Sequence, residues 1–374
     1  LRNDKKMTQD ELAALTGVSR QSVQKWETGK ALPTSDKLLK LSEIFNVTID
    51  YLCKDIAGDP ERVAEESGFL ASCAKYSARY GDALGIEYKQ CEDEGKDVKP
   101  YKELFEAVEK MPKNAYRAKI ADCLFEMISG LPVKSDFPFS EPTDLERIKE
   151  LRVQPADLEE KLKKPEKNVI ADKMKGGWFG RICGCLLGKP IEGISLAELN
   201  LFLKRTGNYP LSRYVTKEEA EAVKTDDITF PVAHRAYSQN FRAMPADDDT
   251  NYMLIAYETL NRFGRDFSSD NIGEVWLTTQ THEAYFTAEY VAYTNLLGGC
   301  TAQTSGVYQN PYREFIGAQI RADVFGYVNS ANPEAAAKMA WKDATVSHVK
   351  NGVYGEMWVA AMLAAAYSLN NVKE

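Results

Sequence analysis

Lys173-Met-Lys-Gly-Gly-Trp-Phe-Gly-Arg-Ile-Cys-Gly-Cys-Leu-Leu-Gly-Lys-Pro-Ile-Glu192 carries glycine at 176, 180, 184 and 188. A recurrence at every fourth residue puts these glycines on one stripe of a helix. Each glycine costs a helix interior about 1 kcal/mol relative to alanine, so a row of four calls for another element pressed close against it. The stripe therefore predicts a crowded, all-helical centre. Gly184 to Lys189 also invites reading as a phosphate loop, but its spacing is one residue short and Pro190 stands where Ser or Thr is required. That reading is rejected. Cys183-Gly-Cys185 is too tight for a usual zinc knuckle and reads as small residues in a packed helix.

Further on, Pro245-Ala-Asp-Asp-Asp-Thr-Asn-Tyr252 sets three carboxylates in a row. They repel one another, and a soluble fold tolerates them mainly when something positive is bound. An apolar periodic run follows at once, Tyr252, Met253, Ala256, Tyr257, Leu260 and Phe263, ending at Gly264. It predicts a helix with the acids at its N-terminus. One acid can cap the free backbone N–H groups, leaving the others as hard oxygen ligands of the kind Mg²⁺, Mn²⁺ or Ca²⁺ prefers. A solvated N-cap with surplus charge is the competing reading, and the residues alone leave both open. A second triplet, Thr225-Asp-Asp227, precedes Ile-Thr-Phe-Pro231, a poor helix start, and is assigned to a loop.

The 374 residues are 44% hydrophobic and 27% charged, an ordinary globular mixture with room for two or three domains. A formal net charge of -8 argues against a protein that coats nucleic acid along its whole length, while leaving room for a small basic-faced module. Seven scattered cysteines fit reduced thiols in a cytosolic protein. No apolar run reaches membrane-spanning length and the N-terminus lacks a secretory pattern, so no membrane partner and a cytoplasmic location are expected.

At the N-terminal end, Thr8 followed by Glu11 forms a capping box, so a helix should begin at Gln9 and bury Leu12, Ala13 and Leu15. Gly17 supplies a tight turn, Val18 plugs the angle, and Ser19 caps a second helix running to about Glu27. This is a helix-turn-helix layout, in which Arg20, Gln21, Ser22 and Lys25 face DNA while Val23 and Trp26 face the core. Gln21 can pair with adenine, and Arg20 or Lys25 can reach phosphate or guanine. Continued through Thr28-Gly-Lys-Ala-Leu-Pro-Thr34 and Val47-Thr-Ile-Asp-Tyr-Leu52, the string resembles the Xre/Cro type of DNA-binding domain. The resemblance implies that Gln9 contacts the phosphate backbone, and that the helix before Leu1-Arg2 is incomplete here.

Residues 54–168 are charged, helical in propensity and poor in glycine, with periodic stretches around Val63 to Tyr80, Pro100 to Met111 and Ala115 to Ile128. They read as a helical connector without chemistry of its own. Its tyrosines, Tyr76, Tyr80 and Tyr88 among them, are assigned to packing. A dimerising role is the natural expectation for a protein reading two half-sites.

A glycine-striped helix ending in Gly-Lys-Pro-Ile-Glu192, followed by an Asp-Asp-Thr helix start, resembles the ADP-ribosylglycohydrolase family. The likeness continues through Asn310-Pro-Tyr-Arg-Glu-Phe-Ile-Gly-Ala-Gln-Ile-Arg-Ala-Asp323 and Ser347-His-Val-Lys-Asn-Gly-Val-Tyr-Gly-Glu-Met357. The family is all-α and hydrolyses the glycosidic bond between ADP-ribose and an acceptor with two Mg²⁺ ions. The resemblance implies that Asp248 and Asp249 are metal ligands, with Asp247 where many members have Ser or Thr, a change that could alter metal preference towards Mn²⁺. It further implies a gate or acid/base role for Glu192, and a substrate loop at Asn310, Tyr312, Phe315 and Gly317. His348 falls close to the ribose. For Glu192 a solvated helix end and for His348 a purely structural role remain open, and Arg321 with Asp323 reads as a structural pair. A later Asp-x-Asp-Thr motif, which supplies the family's remaining ligands, does not follow His348, so the chain is expected to hold at most half of the metal site.

The expected protein is all-α, with a helix-turn-helix domain over 1–53, a connector over 54–168 and an ADP-ribosylglycohydrolase-like domain over 169–374. Its expected function is Mg-dependent hydrolysis of an ADP-ribose N- or O-glycosidic bond, coupled to sequence-specific DNA binding. The alternative is a transcription regulator whose C-terminal domain senses ADP-ribose or a related nucleotide without catalysis.

Overall fold

The computed structural model describes residues 1–2, 5–31, 33–45, 80–153, 158–223, 227–228, 237–240, 243–369 and 371. The expected helix around Val63, the module end at Val47–Leu52, Tyr76 and the Thr225-Asp226 pair lie outside the described residues. Among those described, helices dominate and the β structure is a single antiparallel bridge between Lys96 and Val133. No described helix is long and apolar enough to cross a membrane. The chain divides into two compact units, Leu1–Ser77 and Ala78–Glu374.

In the first unit, Thr8 and Glu11 form the capping box that starts Gln9–Thr16, and Gly17 ends the helix at φ 69, a left-handed conformation that costs glycine nothing. The Ser19 side chain caps Arg20–Glu27, and Ser35–Phe45 is the third helix. Leu12, Ala13, Val23, Leu41 and Phe45 form the core, with Val18 and Trp26 packed against it. Leu15, expected inside, is 52% exposed. The inward face runs through Leu12, Ala13 and Thr16, and Thr16 satisfies its buried hydroxyl on the Leu12 carbonyl at 2.7 Å.

The second unit begins with three helices, Leu84–Asp93, Lys102–Glu109 and Ala115–Ser129, around a core that includes Leu84, Phe105, Leu124 and Ile128. Two of its tyrosines pack edge-on, Tyr80 on Phe125 and Tyr88 on Phe105, while Tyr116 is 75% exposed. A larger core follows, in which Tyr252, Trp276, Tyr285 and Phe325 are sealed among apolar side chains. Two helices press together at Gly326, where a Cβ would stand 2.6 Å from the Cβ of Leu363 on the apolar helix Lys350–Ala366. Only glycine lets those helices meet.

The glycine-rich segment is the helix Lys167–Gly188, as its periodicity predicts. Its stripe does not pack, however. A Cβ at Gly176, Gly180, Gly184 or Gly188 would meet no atom within 4 Å, and close contact falls instead on Gly177, beside the Tyr327 ring at 2.9 Å. The crowded centre therefore lies elsewhere, and the stripe opens onto a cavity. The helix Asp248–Phe263 starts at the acidic triplet and stops at Gly264. Tyr257, expected on its buried face, is 59% exposed, and Ile255 and Thr259 are buried in its stead. One residue turns a helix by about 100°, which carries Tyr257 away from its neighbour Ala256.

Candidate functional site

Three elements wall a cavity of about 600 Å³. Gly180, Gly184 and Gly188 form a floor without side chains, Asp247, Asp248 and Asp249 form one side, and Glu192, Ile316 and Ile320 complete it. Asp247 is the helix N-cap and accepts from the Asp249 N–H at 3.0 Å, so its backbone role fixes the direction of the triplet.

The glycine-rich helix also supplies countercharge. Arg181, Cys185 and Lys189 recur every fourth residue, one position behind the stripe, and all three line the cavity. Lys189 Nζ donates to Asp247 Oδ2. Arg181 spans two acids, donating from Nη1 to Asp249 at 3.1 Å and from Nε to Asp323 at 3.0 Å. Asp323 thus pairs with Arg181 and not with Arg321 as expected, because the two helical turns that carry residues 321 and 323 aim them at different neighbours. The sequence reading missed Arg181, Cys185 and Lys189 as site residues. Their common spacing beside the glycines was the available signal.

Burial would raise the Asp247 carboxyl, but the Lys189 ammonium and the Asp249 N–H hold it below its ordinary value. Asp248 is pushed up to about 6 by burial and by the charges of Asp247 and Asp249. Burial and the same acids raise the Cys185 thiol, keeping it protonated. Ligand atoms of Cys185, Asp247 and Asp249 lie within 4.8 Å of one another. With the thiol neutral, the donors are carboxylate oxygens, and this set fits a hard divalent cation.

Of the other expected site residues, Glu192 follows the short turn Lys189–Ile191 and is exposed at the cavity. Asn310 is fully buried and donates to the Ala288 and Ser347 carbonyls, both at 3.1 Å, so it holds the loop by its backbone neighbours. Tyr312 is buried against Ala83, Ala288 and Val291, while Phe315, edge-on to it at 5.2 Å, is 41% exposed. Gly317 sits over the Glu289 carboxylate, which a Cβ would strike at 2.1 Å. His348 is sealed, with Nδ1 at 2.7 Å from Ser347 Oγ, and burial followed by the nearby Arg321 charge depresses its basicity.

Beneath the loop is a second carboxylate cluster. Arg321, 1% exposed, donates to Glu289 Oε1 at 2.6 Å and to Asp343 Oδ2, lies 3.5 Å from Glu356, and stacks over Trp276 at 5.1 Å. Three acids crowd one guanidinium, and Glu356 is fully buried among them. Burial pushes Glu289 up to about 7 and Glu356 well above the carboxylate range.

Residues 166–374 match the family model for ADP-ribosylglycohydrolase. The chain belongs to that family. Residues 1–52 match the helix-turn-helix model. That portion is similar to the HTH-type transcriptional activator BcrR of Enterococcus faecalis, at 46% identity over 14% of this chain and 26% of the relative. It is also similar to the cryptic phage CTXphi transcriptional repressor RstR of Vibrio cholerae, at 38% identity over 14% of this chain and 46% of the relative. An SPbeta prophage-derived HTH-type transcriptional regulator, YonR of Bacillus subtilis, is 38% identical over 19% of this chain and 74% of its own length. The chain thus spans under half of the first two relatives. No solved structure matches it.

In the helix-turn-helix domain, Arg20, Gln21 and Lys25 are exposed on the second helix, and Ser22 is half-buried with its hydroxyl 3.0 Å from that of Ser19. Gln9 donates to Glu27 at 2.7 Å and accepts from Arg20 at 3.4 Å, so its amide is already oriented at the helix start.

Proposed function

We propose that the cavity binds ADP-ribose and that the domain hydrolyses the N- or O-glycosidic bond joining it to an acceptor, while the helix-turn-helix domain addresses a specific DNA sequence. The observation that carries this reading is the pairing of a glycine floor with a wall of three carboxylates around about 600 Å³. Bare backbone on one side admits a bulky ligand, and concentrated negative charge on the other suits divalent ions. Asp247, Asp248 and Asp249 would hold Mg²⁺ or Mn²⁺, which when bound favours charge developing at the anomeric centre. Glu192, exposed at the rim, is placed to exchange a proton with the leaving group or with water. Phe315 offers a ring face to adenine, and the backbone around Gly317 approaches the diphosphate. Arg20, Gln21, Ser22 and Lys25 read the major groove with Gln9 on phosphate, in a homodimer over two half-sites in the cytoplasm.

A second reading, a sensor that binds the nucleotide without turning it over, draws support from the ion pairs of Lys189 and Arg181 with Asp247 and Asp249. Those pairs neutralise the acids without a metal. Calorimetric titration of ADP-ribose with and without Mg²⁺, on the chain and on an Asp248→Ala/Asp249→Ala variant, separates the cases. Magnesium-dependent binding lost in the variant, with turnover of an ADP-ribosylated substrate, supports the hydrolase. Binding that ignores Mg²⁺ supports the sensor, and no binding removes both. For DNA, Gln21→Ala should cost about 1–3 kcal/mol at one base position, whereas Lys25→Ala should weaken all sequences alike and reduce the salt slope.

A further inference from the structure

The helices over residues 84–129 belong to the same compact unit as the hydrolase domain yet lie outside the family-matched residues 166–374. One of them, Leu84–Asp93, brings the buried Glu87 to the domain, and buried Glu94 follows at its end. Both close on Arg313, whose Nε donates to Glu94 at 2.6 Å and whose Nη1 donates to Glu87 at 2.7 Å. The same Nη1 also donates to the Asn310 carbonyl at 3.0 Å, tying the guanidinium to its own loop. Gln90 adds a bond to Glu314 at 2.6 Å. Immediately beyond this grip the chain reaches Ile316, which lines the cavity, and Gly317, which has no free space over Glu289. A shift at Arg313 is therefore passed to the cavity wall.

We propose that Glu87 and Glu94 are positioning residues for the ligand cavity, setting the 309–317 loop through Arg313 in the shape that receives the ADP-ribose moiety. The inference rests on the ADP-ribose reading of the cavity. It makes the helical segment a working part of the site and not a spacer. Its physical basis is a buried, charge-assisted grip: the Glu94 and Glu87 carboxylates hold separate nitrogens of one guanidinium, and an amide in place of either exchanges a charged bond for a weaker neutral one in a dry environment. The side chain then seeks other acceptors and draws the loop with it. Burial alone would raise the Glu94 carboxyl, and Arg313 with Lys350 and Lys96 reverses this, so the acid holds its charge for the pair.

The test uses the full chain carrying Glu87→Gln and Glu94→Gln together, or Glu87→Gln alone if the double variant does not fold. Hydrogen–deuterium exchange should quicken about tenfold across residues 309–320 and stay unchanged across the helix Asp248–Phe263. ADP-ribose affinity measured with Mg²⁺ should fall about tenfold, while Mn²⁺ affinity without nucleotide should hold. Asp122→Ala, which removes the acceptor of the exposed Gln309 contact, should leave the affinity within about twofold. Unchanged exchange in the loop overturns the proposal, as does acceleration spread evenly over the unit. If the unaltered chain fails to bind ADP-ribose, the reading of the cavity falls, and the exchange result still decides whether the two glutamates set the loop.

Discussion

The unit formed by Ala78–Glu374 holds two clusters of three carboxylates, and they are built on opposite plans. Asp247, Asp248 and Asp249 are consecutive, half-exposed on a cavity, and two of them face cations of the glycine-rich helix. Glu289, Asp343 and Glu356 come from separate helices, are sealed from water, and share Arg321. In the open cluster, negative charge is kept available because solvent and the paired Lys189 and Arg181 side chains screen it. In the sealed cluster, charge is tolerated only by pairing and by protonation, which suits holding helices together and not binding ions. Equal acid counts thus serve different ends, and the environment decides which.

The strongest way to break the contrast is Arg321→Met. It strands the sealed acids, and a loss of about 3–5 kcal/mol in unfolding free energy is expected from denaturant titration. A loss below about 1 kcal/mol would mean that the cluster is already neutral or hydrated. In the open cluster, Asp247→Ala removes an N-cap and should cost about 1 kcal/mol by the same measurement, since Lys189 can return to water. Asp248 sharpens the comparison through pH. Its folded carboxyl is pushed up to about 6 from the ordinary aspartate range, so the folded state binds the proton more tightly than the unfolded chain. Stability from this group is present below the unfolded value and declines as pH rises towards 6 and beyond. Thermal melts of Asp248→Asn should lack that decline, and saturating Mg²⁺ should remove it from the unaltered protein. An identical pH profile in variant and parent would show that neither burial nor the neighbouring acids raise the Asp248 carboxyl. The smallest effect belongs to Glu356→Gln. A carboxyl held protonated by burial is nearly isosteric with the amide, so less than about 1 kcal/mol should be lost at neutral pH. A large loss would show the glutamate to be ionised and paired to Arg321.

Much of the architecture was legible because its signals are local. Thr8 with Glu11, Gly17, Ser19, and the acids before Tyr252 each act within one helical turn, and each does in the structure what its spacing predicts. The glycine recurrence correctly marked a helix and misled about its neighbour, since absent side chains serve an open cavity as well as a tight contact. Arg321 was assigned to the nearby Asp323, whereas its partners are Glu289, Asp343 and Glu356. Arg313 likewise finds Glu87 and Glu94, more than two hundred residues away in the chain. No periodicity in either segment announces such a pairing.

The sequence by itself determined the helical class, the ends of the principal helices, the capped helix-turn-helix layout of the first unit and the position of the acidic triplet, because backbone hydrogen bonding and helical period are set by near neighbours. Tertiary structure alone decided that the glycines floor a cavity, that Lys189 and Arg181 meet the triplet, and which buried acids remain charged. Those outcomes depend on distances between chain-remote groups and on how much water lies between them, and both come into existence only when the helices have packed.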